Sequence, residues 1–228
     1  MNPSVRTTKP SNVVKNTRTT RETNVVVEIA LLNEKNNGTA EIASTENDPK
    51  CLNTGIPFLD HMLNSMQINA KPGIDLICVK ATGDLIVDDH HTVEDVALTL
   101  GLTIRSALSM RFQEKNLEIK RYGWCLLPMD EALAQVAIDI SGRPYCRTSL
   151  GLKRESIGGI ASESFDHFFQ SLSQTLQASI HIDILQGAND HHRIEAAFKG
   201  FGIALGNAVR VVDRPARTFM PSTKGDVV

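Results

Sequence analysis

The sequence predicts an α+β protein made of two tandem modules of one design, each running strands, helix, strand, helix. Three observations carry that expectation. Asp89-His90-His91-Thr92-Val93-Glu94 returns as Asp190-His191-His192-Arg193-Ile194-Glu195. Upstream, Leu59-Asp60-His61-Met62-Leu63 returns as Phe165-Asp166-His167-Phe168-Phe169. Between the two motifs of each half lies a strand-like segment, residues 74–80 or 180–185, followed by Gly83 or Gly187. Self-similarity of this kind marks an internal repeat, and it fits two fused modules better than a doubly wound parallel sheet.

Taken in order, residues 1–17 are polar, hold two prolines and show no periodicity, so they are read as a flexible tail. Residues 24–32 alternate, with Val25, Val27, Ile29 and Leu31 on one face, which predicts a half-buried strand. Residues 33–53 are polar and bear Gly, Asn and Pro, and read as a long loop with room for one short strand. Residues 119–127, 133–140 and 145–153 are further strand candidates, with a turn at 141–144. After each D-H-H-x-x-E the apolar residues fall at i, i+3, i+4 and i+7: Val93, Val96, Ala97 and Leu100, then Ile194, Ala197, Phe198 and Phe201. Each motif therefore opens an amphipathic helix. The expected division is a tail (1–17), a first repeat (18–112) and a second repeat with a C-terminal tail (113–228), folded as one compact catalytic domain.

Composition narrows the function. The 228 residues are 41% hydrophobic and 22% charged with a net charge of −2, which argues against wholesale binding to nucleic acid phosphates. No apolar run approaches the ~18 residues of a membrane span. Four well-separated cysteines with no C-x-x-C suit reduced thiols in a cytoplasmic compartment. The basic, Ser/Thr-bearing start leaves a plastid or other organelle transit remnant as the alternative location.

Six of the seven histidines fall at equivalent places in the two halves. On a helix His90 and Glu94 share a face, as do His191 and Glu195, whereas His91 and His192 point about 100° away. An imidazole and a carboxylate on one face are natural ligands for a divalent metal. His61, His90, His91, Glu94, His167, His191, His192 and Glu195 thus form two four-ligand sets, suited to Mn, Fe, Co, Ni or Zn. Asp60, Asp89, Asp166 and Asp190 are the expected orienters of the imidazoles. His181 has no counterpart in the first half and is open to a structural or a functional reading. Arg121, Arg143 and Lys199, with the C-terminal Pro221-Ser222-Thr223-Lys224-Gly225, offer the donors a phosphate needs, although spacing alone does not make them converge.

These stretches, with Arg21-Glu22-Thr23-Asn24, Gly55-Ile56-Pro57-Phe58, Pro128-Met129-Asp130-Glu131 and Asp139-Ile140-Ser141-Gly142-Arg143-Pro144, closely resemble the imidazoleglycerol-phosphate dehydratases of histidine biosynthesis over nearly the whole chain. The resemblance implies a tandem duplication of a module like domain 2 of ribosomal protein S5, with helices packed between two mixed sheets. It implies a homo-oligomer of twenty-four subunits with active sites at interfaces and two divalent ions per site, Mn2+ above all. It assigns the eight residues above to metal, Glu22 to acid/base work, and Arg121, Arg143, Lys199, Ser222 and Lys224 to the substrate phosphate. The implied reaction, through a dimetal-bound imidazolate, dehydrates D-erythro-imidazole glycerol phosphate to imidazole acetol phosphate. A dimetal hydrolase of a phosphorylated small molecule and a non-catalytic metal-binding cage are the alternatives. Three departures stand out: the long 33–53 loop, an expanded stretch at 111–120, and Asn69-Ala70-Lys71-Pro72-Gly73 where the family commonly carries a His-Gly.

Overall fold

Two four-stranded sheets of identical strand order flank four helices in this computed structural model, which describes residues 13–32, 52–71, 73–115 and 118–212. The first half supplies β1 (Val13–Thr19), β2 (Thr23–Leu31), β3 (Leu52–Asn53), α1 (Pro57–Ala70), β4 (Ile74–Gly83) and α2 (His90–Lys115). After the short β5 (Glu118–Ile119), the second half supplies β6 (Tyr122–Met129), β7 (Ala132–Asp139) and β8 (Tyr145–Ser149). The hairpin β9 (Ser156–Ile157) and β10 (Ile160–Ala161) follows, then α3 (Ser162–Leu176), β11 (Ser179–Gln186), α4 (Asp190–Ala208) and β12 (Val211–Val212).

The sheets read β1-β2-β4-β3 and β6-β7-β11-β8. In both, a hairpin is extended by an antiparallel third strand, and the edge strand is parallel to that third strand. Both sheets are therefore mixed, as expected of the duplicated fold. The parallel pair in each half is joined through a helix, which sets the helices on one face of the sheet. Helix α2 lies on β1 and β2, and α4 on β6 and β7, while α1 packs against α4 and α2 against α3.

Alternation explains the sheets' inner faces. Val25, Val27 and Ile29 of β2, and Ala134, Val136 and Ile138 of β7, are all buried toward the helices. Phe165, Phe168, Phe169, Phe198 and Phe201 fill the space between α3 and α4. Their rings each remove roughly 150–250 Å² of surface from water, a large share of the driving force.

The sequence reading of residues 1–17 as a tail needs correction from Val13 onward. Residues 13–19 pair with 24–30, and Val14 is buried. A single inward apolar residue in a polar strand leaves little alternation to detect. The expected strand at 119–127 is instead β5 plus β6, broken at Arg121, whose backbone is left-handed at φ 68. Residues 1–12, most of the long loop (33–51) and the C-terminal stretch from 213 lie outside the described residues. Among those described, no helix is long and apolar enough to cross a membrane.

Candidate active site and metal centres

Each His-His pair sits in the first turn of its helix because a side chain caps it there. Asp88 Oδ1 accepts from the His90 amide at 2.9 Å, and Asn189 Oδ1 from the His191 amide at 2.9 Å. The two remaining histidines ride on α1 and α3. Asp60 accepts from the Thr54 amide (2.8 Å) and hydroxyl (2.7 Å), which fixes the chain as it enters α1 ahead of His61.

Helix pairing then brings the halves together. His61 of α1 joins His191 and Glu195 of α4, and His167 of α3 joins His90 and Glu94 of α2. In each group the ligand atoms lie within 4.8 Å of one another. His191 Nε2 is 3.2 Å and His61 Nε2 3.8 Å from Glu195 Oε2. His167 Nε2 is 3.3 Å from Glu94 Oε1, and His90 Nε2 is 4.0 Å from Glu94 Oε2. Metal bonds of about 2.0–2.2 Å set neighbouring donors ~3 Å apart, so a small inward movement seats an ion in either cluster. Two imidazole nitrogens and a carboxylate are a donor set that suits Mn, Fe or Zn.

His91 and His192 stand apart from both clusters. Their rings lie edge-on to their neighbours' rings, at 6.0 and 6.1 Å. His91 Nδ1 donates to Asp84 Oδ2 at 3.0 Å, and His192 Nδ1 to Glu131 Oε2 at 2.7 Å. Each carboxylate raises the affinity of its imidazole for a proton. With Nδ1 engaged, Nε2 is the second nitrogen of each ring, and that of His192 lies 3.8 Å from Asp130 Oδ2. Glu131 is held at about 2 by His192 and by the Asn189 and Ala188 amides.

Three of the four aspartates expected to orient the imidazoles bond to backbone amides instead. Asp60 holds Thr54, Asp89 accepts from the Ala161 amide (3.4 Å), and Asp190 accepts from the amides of Lys153 and Arg154 (3.0 and 2.9 Å). Asp166 keeps Oδ1 buried without a partner. The orienters are Asp84 and Glu131. Glu131 lies in the β6–β7 turn, the counterpart of the β1–β2 turn that carries Glu22. That equivalence is one of topology rather than sequence, and strand order is what exposes it.

Glu22 is an exposed carboxylate whose Oε2 is 3.8 Å from His91 Nδ1. Its turn is braced by Thr20, whose hydroxyl accepts from the amides of Glu22 (3.1 Å) and Thr23 (2.9 Å). Asp95, buried on α2, ties down both ends of the turn: Oδ1 accepts from Arg18 Nε (2.6 Å) and Oδ2 from the Thr23 hydroxyl. An open cleft of about 350 Å³ runs along this turn beside Thr82, Gly83 and Asp84.

Among the described residues the phosphate donors Arg121, Arg143 and Lys199 do not gather at one point. Arg121 is buried, pairs with Asp139 (2.6 and 3.1 Å) and stands over the Tyr122 ring. Arg143, exposed in the next turn, lies at the same sheet end, because Tyr122 pairs with Asp139. Lys199 belongs elsewhere on α4: Ala208, whose carbonyl takes the Arg121 amide, is nine residues further, about 13 Å at the helical rise. Its ammonium turns away, to Glu195 Oε1 at 2.8 Å. Burial alone would push the Glu195 carboxyl up, but Lys199, with His61 and His191, holds it below the ordinary carboxylate range. Ser222 and Lys224 lie outside the described residues. His181 is exposed on β11 beside Tyr145, belongs to neither cluster, and reads as a surface residue.

Comparison with known proteins converges on one family. The family model described as imidazoleglycerol-phosphate dehydratase matches residues 54–205. The imidazoleglycerol-phosphate dehydratase of Chlorobium phaeobacteroides (strain DSM 266) is 43% identical over 95% of this chain and 98% of its own. That of Methanocaldococcus jannaschii is 42% identical over 92% and 93%. Among solved structures, the Staphylococcus aureus imidazoleglycerol-phosphate dehydratase superposes with a TM-score of 0.68 at 32% identity, covering 88% of this chain and 99% of its own. The Pyrococcus furiosus structure, solved in complex with (S)-C348, gives 0.68 at 34% identity, covering 92% and 99%. The chain belongs to the imidazoleglycerol-phosphate dehydratase family and is an enzyme of the hydro-lyase class.

Proposed function

We propose that the chain dehydrates D-erythro-imidazole glycerol phosphate to imidazole acetol phosphate in histidine biosynthesis, with two divalent cations, Mn2+ foremost, held by the His61/His191/Glu195 and His90/Glu94/His167 clusters. The observation that carries the reading is the pair of equivalent, cross-half clusters, together with an exposed carboxylate, Glu22, 3.8 Å from the histidine that follows His90. Cations bound there would supply Lewis acidity to a nitrogen-rich substrate ring.

The remaining work belongs to the chain's own groups. Glu22, at the rim of the cleft with Oε2 3.8 Å from His91 Nδ1, takes the carbon-bound proton of the glycerol side chain. Loss of the neighbouring hydroxyl as water leaves an enol, which ketonises with the phosphate retained. Asp95 positions Glu22 by anchoring its turn to the helix that carries His90 and Glu94. Asp84 and Glu131 hold His91 and His192 through their Nδ1 atoms.

Two features support assembly as part of this function. His91 and His192 belong to neither cluster of their own chain, and of the phosphate set Lys199 sits midway along α4 while Arg121 meets its C-terminal end. A neighbouring copy would complete both sets, in a homo-oligomer for which twenty-four subunits is the expected count.

Purified protein supplied with Mn2+ and imidazole glycerol phosphate should form the ketone without releasing inorganic phosphate. Release of phosphate would establish a hydrolase instead. Uptake far above roughly two Mn2+ per chain, with no turnover, would establish a storage cage.

A further inference from the structure

Glu94 and Glu195 occupy equivalent positions, but their surroundings differ. Glu94 turns one oxygen to each imidazole, Oε1 to His167 and Oε2 to His90. One helical turn on, its helix carries the uncharged Leu98. Glu195 turns only Oε2 to its imidazoles; Oε1 is taken by Lys199 Nζ at 2.8 Å and by the Ser65 hydroxyl at 3.5 Å. Around Glu195 the walls are also tighter. Its side chain is 9% exposed against 35% for Glu94. Phe58 stands edge-on to His191 at 5.1 Å, where the other half has Ser164.

A carboxylate that already shares a proton-rich ammonium has less charge and one fewer oxygen to give a metal. The ammonium also repels an incoming dication across a short, poorly screened gap. Burial by itself would favour a cation at Glu195, because a buried carboxylate is costly when unpaired. Lys199 already meets that need. At Glu94 no ammonium competes among the described residues.

We propose that Lys199 makes the two metal centres unequal, so that the His90/Glu94/His167 centre fills first and more tightly and the His61/His191/Glu195 centre second. The proposal rests on the metal reading above and goes beyond it by assigning Lys199 to Glu195 in the metal-free chain, rather than to a phosphate. In this role Lys199 is a positioning residue, acting through Glu195.

The test is a Mn2+ titration of the full chain, with the free ion followed by its electron paramagnetic resonance signal. The native protein should show two affinity classes at least about tenfold apart, the scale of outer-shell effects on metal affinity. Lys199→Met should tighten the weaker class to within about threefold of the tighter one, leaving the tighter unchanged. Leu98→Lys should weaken the tighter class. His90→Ala should delete the tight class and His191→Ala the weak one. Equal classes in the native protein, or a Lys199→Met variant with an unchanged ratio, would overturn this inference while leaving the metal reading intact. A native chain that binds no Mn2+ would overturn both.

Discussion

Glu22 and the two histidines outside the clusters show how far a side chain's task depends on what braces it. Glu22 has no hydrogen bond to its carboxylate among the described residues; its backbone is fixed by Thr20, and its turn by Asp95. His91 and His192, by contrast, are oriented directly by Asp84 and Glu131. Glu22→Gln should therefore keep Mn2+ and substrate affinity and lose about 10²–10⁴ in kcat, the usual weight of a general base. Near-native turnover would show that another group takes the proton. At this scale the sequence disclosed the ligand types well, because His and Glu four apart declare a shared helix face. It did not disclose Asp84 or Glu131. Their partners lie across a turn or a strand end, at separations such as the 61 residues between Glu131 and His192 that no local pattern encodes.

Among the elements, the helices were legible and the short strands were not. Helices α2 and α4 follow the 3.6-residue period through buried Val93, Val96, Ala97 and Leu100, and through Ile194, Ala197, Phe198 and Phe201. Strands β3, β9 and β10 are two residues each, too short for alternation to register. What clamps the helices is glycine at equivalent positions. A Cβ on Gly202 would collide with the Met66 carbonyl of α1, and one on Gly101 with the Leu172 carbonyl of α3. The two helix pairs that form the clusters thus meet backbone to backbone. Gly202→Ala should destabilise the chain by about 1–3 kcal/mol, the cost of overpacking a tight contact. It should also loosen Mn2+ binding at the centre containing His61, because α1 must draw back from α4. Denaturant unfolding and a Mn2+ titration on the same variant check both halves of that statement, and unchanged binding would separate the clamp from the site.

For the whole molecule, the repeat made the duplication plain, and the matching strand orders bear it out. What the repeat could not tell is that each cluster would draw on both halves, since equal motifs are as compatible with one cluster per half. Nor could spacing tell that Arg121 and Lys199 diverge along α4. If a neighbouring copy completes the sites, His192→Ala should leave the chain folded but abolish metal-dependent assembly. Sedimentation with and without Mn2+ decides it, and full assembly of the variant would remove His192 from the interface.

The exchange of ligands between halves has an ancestral consequence. One half gives a histidine to its partner's His–Glu pair and receives one in return, the reciprocity of a twofold-symmetric dimer. A lone module of this design, carrying one of each ligand, could have bound metal only by pairing with its twin. Such a pair would have had two identical pockets. Joining the twins into one chain ended that constraint, because each pocket could then mutate alone. Leucine at 98 and lysine at 199 are one trace of the divergence.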